Sequence, residues 1–578
     1  MRKNLLFVAI LAISVVNFAE AQGVYFNGLG RAIVTNDNLK GLALDPDSVN
    51  STPDSQNDRK GTGGYTLFDL GINAQPGENL RASAILRVRN EFGGFYGDGS
   101  FLEFRQLRLD GILNKVVKYE IGDIDLSMTP YTLYNFSEMY HDYEADVFAI
   151  RRSIVQYENF NFGNNWRVQG FHANSALKFE KGIEKFAISA FATRTRRTNF
   201  ADLPDRLLVG GDIDVVQSKF INVGFNYVKF FDVVNTAPAS TVKDFDNNVI
   251  TGDFALKYEI AEKVGLSLYG EFGGSKFQYD TAGTAVTKND NFYDLGVSAK
   301  YLPLGIKVFA NYRNVGAYFS SPSAQTRRIN DNGLVNLFPT IGNNVSLDRQ
   351  PILFDRITEE GLRNKTIQAG LMSYLPQYNA ITPYGVATPN RKGITAGVSA
   401  GGEDKIYTAD VIVDLLNEVS GEGTSIGDNK RSFLGAKGGA SLSINKIIGF
   451  EKALVLSGGF RYEKVERAAN SIDFSSMLLD AGLTVEVYKQ LDLLAGYKSL
   501  SAQGNEFISI RDAYNLIVGY QAFNIDTQQD ILSFGMRYRF SKNTYFTLQG
   551  LWVNYDDVVS KLNNYEINQV FLGYTMVF

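Results

Sequence analysis

The chain has 578 residues, 57 of them Lys or Arg and 62 Asp or Glu, for a net charge of −5; 41 Phe and 31 Tyr stand against 13 Pro, 2 His and no Cys. The absence of cysteine excludes disulfides, thiol catalysis and cysteine-ligated zinc, two histidines leave almost nothing for a histidine metal site, and the acidic balance gives no support to nucleic-acid binding. Length alone suggests several soluble domains, yet the aromatic, proline-poor composition leans to β-structure without linkers.

Arg2 and Lys3 precede the apolar run from Leu5 to Val16, and Ala19-Glu20-Ala21 places small residues at the −3 and −1 positions before Gln22. The pattern predicts a secretory signal peptide over 1–21, because the run is shorter than the ~20 residues a spanning helix needs. No later segment has the apolar length of a transmembrane helix, so residues 22–578 are expected to form a single exported domain.

Beyond residue 22 the hydropathy alternates with period two. Val264, Leu266, Leu268, Gly270 and Phe272 oppose Gly265, Ser267, Tyr269 and Glu271; Leu532, Phe534, Met536, Tyr538 and Phe540 oppose Ser533, Gly535, Arg537 and Arg539. Strands are expected near 24–35, 64–75, 79–92, 101–113, 115–125, 166–179, 185–197, 206–217, 219–231, 249–261, 263–276, 291–302, 304–316, 392–401, 406–417, 431–445, 453–465, 472–487, 490–501, 531–540, 544–556 and 565–578. Most exceed the five or six residues usual in soluble sandwiches and suit a tilted passage across a bilayer. Arg105 and Arg108 fall on opposite faces of their strand, which predicts a bulge or a displaced boundary.

Short turns (75–78, 180–184, 261–262, 303–305, 488–490, 541–543) alternate with long polar connections, read as external loops over 36–63, 127–165, 319–391 and 502–530. The fold class is therefore all-β: a transmembrane antiparallel up-and-down β-barrel of about 22 strands, within a range of 20–24. A barrel this wide needs its lumen filled. The candidates are 319–391, with Leu334, Leu337, Phe338, Leu353 and Phe354, and 127–165, with Tyr131, Tyr134, Phe136, Tyr140 and Tyr143.

Taking the polar strand faces as lumen, the expected lining includes Arg81, Arg87, Arg89, Lys257, Glu259, Glu271, Lys307, Arg313, Arg461, Glu463, Arg537 and Arg539. This set leans positive and favours anions, unless its members pair with acidic loop residues. His172 shares a strand face with Asn174 while Ser175 points away, and His141-Asp142 reads as loop polarity, so no catalytic residue and no enzymatic activity are expected. Asp45-Pro46-Asp47 and Asn289-Asp290-Asn291 lack a complete oxygen-ligand spacing, so no metal and no cofactor are expected. The basic cluster Arg194 to Arg197 suits solvent or lipopolysaccharide phosphates better than nucleic acid.

The chain ends Val570-Phe571-Leu572-Gly573-Tyr574-Thr575-Met576-Val577-Phe578. In Gly573, Tyr574, Met576 and the terminal Phe578 it resembles the last strand of bacterial outer-membrane β-barrels, departing from it at Phe571, where a polar residue is usual. The resemblance implies recognition by the barrel assembly machinery and residence in the outer membrane, against lipid and lipopolysaccharide. The richness in Tyr, Phe and Asn and the long loops resemble porin-like barrels of the Bacteroidota. Asp47-Ser48-Val49 and Asp280-Thr281-Ala282 resemble that phylum's O-glycosylation sequon, at Ser48 and Thr281. With the first strand starting near residue 24, neither a plug domain nor periplasmic repeats are expected. The expected function is a loop-occluded channel for small solutes; the alternative is a non-conducting scaffold or subunit of an envelope machine with a protein partner.

Overall fold

The computed structural model describes residues 23–41, 59–92, 100–136, 143–159, 163–237, 242–261, 263–281, 284–329, 335–336, 348–349, 364, 366–402, 405–423, 429–467, 472–512 and 517–578. The expected signal peptide 1–21, His141, Ser48 and the apolar loop residues Leu334, Leu337, Phe338, Leu353 and Phe354 lie outside these. The wall runs β1 (Gly23–Lys40), β2 (Arg59–Gly77), β3 (Leu80–Glu91), β4 (Ser100–Leu113), β5 (Val117–Leu126), β6 (Trp166–Lys178), β7 (Lys185–Arg196) and β8 (Arg206–Ser218). It continues with β9 (Ile221–Asp232), β10 (Val242–Ile260), β11 (Val264–Thr281), β12 (Thr284–Tyr301), β13 (Ile306–Val315), β14 (Arg391–Gly401) and β15 (Tyr407–Asn417). The rest are β16 (Arg431–Ser443), β17 (Leu454–Arg467), β18 (Ile472–Tyr488), β19 (Leu491–Arg511), β20 (Ile517–Ser541), β21 (Thr544–Asp557) and β22 (Tyr565–Val577).

Each strand pairs antiparallel with the next, and β1 pairs with both β2 and β22, which closes a 22-stranded barrel. Closure leaves no unpaired edge, so every backbone ladder is satisfied within the wall. Alternation then sorts the side chains. Phe104, Tyr258 and Phe272 stand exposed on the outer surface, while Asp69, Arg87, Asp480 and Asp492 are buried on the inner one. That is the pattern of lipid outside and polar groups inside. Aromatic rings meet on the outer face near the short-turn end, as in the edge contacts of Phe540 with Tyr538 at 5.0 Å and with Tyr574 at 6.2 Å.

The irregularity expected near Arg105 is a bulge. Ile85 pairs with Gln106 and Leu86 with Phe104, so Arg105 is the extra residue, and both Arg105 and Gln106 turn inward and are buried. The 22 strands follow the expected order, but several are longer than read. Most of 502–530 is strand rather than loop: β19 and β20 span 21 and 25 residues, with Gln503 opposite Asp526 and Asn505 opposite Asn524. The 36–63 connection likewise shrinks to 41–58, and β11 and β12 run on to Thr281 and Thr284. Outside the lipid both faces of a strand can be polar, so the alternation disappears from the sequence while the ladder hydrogen bonds persist.

Candidate functional site

The inner wall is in contact with chain that returns from the long-loop end. The first piece is a helix, α1 (Asp146–Glu158), with Asp146 favourably placed in its first turn and Asn159 closing it by donating to the Val155 carbonyl. Its buried Val147, Phe148, Ile150 and Ile154 form one apolar stripe, packed on inward residues of β18–β22 including Leu478, Leu494, Ile531, Leu551 and Phe571. Gly496 permits the close approach: a Cβ there would lie 2.6 Å from Val147 Cγ1.

Charges fasten both ends of α1. At the C-terminal end, Glu158 accepts from Arg31 at 2.6 Å and from the Tyr65 hydroxyl at 2.7 Å. Arg87 donates to the Glu158 carbonyl at 2.8 Å, Arg105 donates to the Tyr157 carbonyl, and the Tyr157 hydroxyl donates to Asp69 at 2.7 Å. Cations thus satisfy the unpaired carbonyls and the negative end of the helix dipole. At the N-terminal end Arg537 meets Asp146 at 3.1 Å, Lys498 meets Glu144, and Asp480 accepts from the Ala145 amide at 3.3 Å.

The second piece is the stretch after β5. Thr129 donates to Glu271 at 2.6 Å and the Tyr131 hydroxyl to Asp294 at 2.8 Å, with the Tyr131 ring stacked on Phe292 at 3.9 Å. The third comes from the connection between β13 and β14. The Ser320 amide donates to Ser275 at 2.9 Å, Trp166 to the Ser323 carbonyl at 3.0 Å, and Gln325 to the Ala387 carbonyl at 2.9 Å. Arg461 donates to the carbonyls of Gln377 and Tyr378, and Glu463 accepts from the Ala380 amide at 2.7 Å. Together these pieces touch the polar faces of strands all around the closed wall, which places them inside it.

All twelve residues expected to line the lumen stand on the inward strand faces by register. Arg81 pairs with Asp110 at 3.1 Å, Arg87 with Asp69 at 2.7 Å and Arg89 with Glu91 at 2.9 Å. Arg537 and Arg539 each reach Asp492 at 2.8 Å, Arg461 and Glu463 grip 377–380, and Arg313 donates to Thr395 at 3.0 Å. Lys257, Glu259 and Lys307 lie toward the short-turn end, exposed and apart from the inner segments. Sequence reading missed Arg31, Asp69, Asp110, Asp480, Asp492 and Lys498, although each occupies a polar-face position of an expected strand; the period-two register was the available signal.

A second charge pattern was also missed. Asp214 faces Gly224, Gly224 faces Asp253, Asp253 faces Glu271, and Glu271 faces Asp294, a row running across β8 to β12. Among the described residues none of these four carboxylates has a Lys or Arg at ion-pair distance; Asn226, Thr129 and Tyr131 supply neutral donors instead.

At the long-loop end a cavity of about 1150 Å³ opens between Arg206, Met372, Tyr384, Arg391, Glu422 and Arg511, with 366–375 along its lining. Arg391 stacks on Phe433 at 3.8 Å and donates to the Ile381 carbonyl at 2.7 Å. Burial pushes the Glu422 carboxyl up, but Arg511 at 2.8 Å and the Ser509 hydroxyl outweigh it and hold the group below the usual glutamate value of 4.5. Burial raises the phenols of Tyr374 and Tyr384. Among the described residues no group of three or more His, Asp or Glu is arranged to hold a metal ion.

The terminal residues seal the barrel. Gly28 and Phe578 exchange backbone bonds of 2.9 and 3.1 Å, Tyr574 and Met576 face outward beside β1, and the Phe578 ring stacks on Phe68 at 5.6 Å. Gly573 faces inward with Phe571, whose departure from the usual polar residue has a local cause: its ring is buried under Arg151 of α1, 4.7 Å away. Thr281 closes β11 at the long-loop end.

No family model matches the chain, and no curated protein matches it. Among solved structures it is similar to a BenF-like porin from Pseudomonas fluorescens Pf-5, with TM-score 0.35 and 9% identity, over 96% of this chain and 100% of that one. OccK8 (OprE) of Pseudomonas aeruginosa gives TM-score 0.34 and 9% identity over 96% and 98%. The FrpB iron transporter of Neisseria meningitidis gives TM-score 0.45 and 9% identity over 97% and 82%.

Proposed function

We propose that this barrel is an outer-membrane channel for small solutes, porin-like in being a single closed wall, whose lumen is occluded by its own α1 and inward connections. The observation that carries the reading is the cavity of about 1150 Å³ at the long-loop end, lined in part by residues 366–375 of an inward connection, which gives a solute a way in from outside. Long connections face the exterior and short turns the periplasm in such barrels. Export through the 1–21 signal, assembly through the C-terminal strand, contact with lipid and lipopolysaccharide, and a Bacteroidota origin belong to the same reading and rest on the sequence.

Ion pairing weakens the basis for anion preference: Arg81 meets Asp110, Arg89 meets Glu91, Arg537 meets Asp146 and Asp492, Arg539 meets Glu486 and Asp492, and Arg87 shares Asp69 with Arg105. The row Asp214, Asp253, Glu271 and Asp294 makes no ion pair of this kind, with Arg313 opposite Asp294 at its end, and supports cation preference. Planar-bilayer recordings under a salt gradient test both points. A cation-side reversal potential is expected; an anion-side value overturns the selectivity, and no conductance even after deletion of 366–380 overturns the channel. The scaffold reading draws support from the fastening of α1 at both ends, and a stoichiometric partner recovered after mild detergent extraction would favour it.

A further inference from the structure

His172 on β6 lies between two side chains that sequence proximity could not connect. Its Nδ1 is 3.1 Å from Glu120 Oε2 on β5, and its Nε2 is 3.2 Å from the Ser189 hydroxyl on β7, 17 residues further along the chain. All three face inward, a few residues from the short-turn ends of their strands. Glu120 is itself steadied by Lys118 at 3.1 Å. Asn174, on the same face as His172, stands directly opposite Ser189 in the β6–β7 ladder. The order carboxylate, imidazole, hydroxyl is that of a nucleophilic triad: a carboxylate accepting from Nδ1–H fixes the tautomer that leaves Nε2 free to take the serine proton.

We propose that Glu120, His172 and Ser189 form a hydrolytic site on the inner wall, open to the short-turn end of the lumen and acting on small carboxylic esters. Ser189 Oγ adds to the ester carbonyl carbon as its proton passes to His172 Nε2. The adduct collapses by breaking the bond to the alcohol oxygen, which leaves with the Nε2 proton. Water then gives a proton to Nε2 and its oxygen adds to the acyl carbon; Ser189 departs, regains the proton, and a carboxylic acid is released. The Asn174 amide is placed to donate to the developing oxyanion, and Glu120 acts as a positioning residue through His172. The surround is polar, with Asn174 and Asp212 opposite Ser189 on its two neighbouring strands and Lys118 opposite Asn174, which suits short acyl groups such as acetyl rather than long chains.

The test uses the full-length barrel refolded in detergent, with heat-modifiable migration on gels as the check of folding. A fluorophosphonate probe is expected to label Ser189, located by peptide mass spectrometry, and p-nitrophenyl acetate to be hydrolysed in preference to p-nitrophenyl palmitate. Ser189→Ala and His172→Gln should each lower kcat by on the order of a hundred-fold or more. Asn174→Ala should lower kcat with KM held, and Glu120→Gln should do the same while Glu120→Asp restores part of it. Absence of labelling in the folded wild type, or equal hydrolysis by a natively migrating Ser189→Ala barrel, overturns the proposal; preference for palmitate overturns the substrate class. None of these outcomes depends on whether the barrel conducts.

Discussion

The inner wall has two regions that share one strand pattern and treat charge in opposite ways. Around α1, on β1–β4 and β18–β22, cations and carboxylates are in direct contact: Arg31 with Glu158, Arg87 and Arg105 both with Asp69, Lys498 with Asp480, Arg537 and Arg539 both with Asp492. Across β10–β12, the carboxylates of Asp253, Glu271 and Asp294 oppose one another in register, with hydroxyl and amide donors from Asn226, Thr129 and Tyr131. Both arrangements satisfy buried polar atoms. Only the first joins opposite charges directly, so it acts as a fastening, whereas the second sets like charges side by side, with Arg313 opposite Asp294 at its end.

Removing the fastening should have the largest consequence. Replacing 143–159 by a Gly/Ser linker is expected to raise single-channel conductance several-fold, because a barrel of 22 strands is wide once unfilled. Unchanged conductance would mean that the inward connections alone close the lumen. Next comes Glu158→Ala, which strands the buried Arg31 and should lower stability to urea by about 3–5 kcal/mol. Phe571→Ala removes an aromatic ring from the α1 contact and should cost about 3 kcal/mol. Either variant retaining wild-type urea midpoints would show that α1 is not held as described.

The negative row predicts the reverse sign. Asp253→Asn combined with Glu271→Gln relieves like charges that face each other, so stability should be unchanged or higher while the reversal potential moves toward zero. A loss of stability comparable to Glu158→Ala would erase the contrast between the regions. The smallest effect is expected at the outer cavity. Since the folded Glu422 carboxyl titrates below the unfolded value of 4.5, its contribution is complete above that pH and disappears as pH falls through the lower folded value. Amide protection at 418–423, taken relative to the intrinsic exchange rate, should fall as pH drops below about 4.5 in the wild type, and Glu422→Gln should abolish that dependence.

Some of this was legible in advance because the side-chain period of a strand is two and does not depend on what the strand packs against. Hence Arg537 and Arg539 could be placed inward, and Arg105 beside Arg108 betrayed the bulge. The region 502–530 was misread because strands above the lipid lose the apolar half of the pattern. The partners were illegible for another reason: Arg31 and Glu158 are 127 residues apart, and His172 reaches Glu120 52 residues back.

The amino-acid sequence by itself determined an all-β wall of about 22 strands and which face of each is apolar. Those are consequences of local alternation and of strand length. The tertiary structure alone decided that α1 sits inside, that most of the expected cationic lining is ion-paired, and that Asp253, Glu271 and Asp294 face one another. Pairing across a closed sheet depends on register, and register is a relation between strands that no single strand contains.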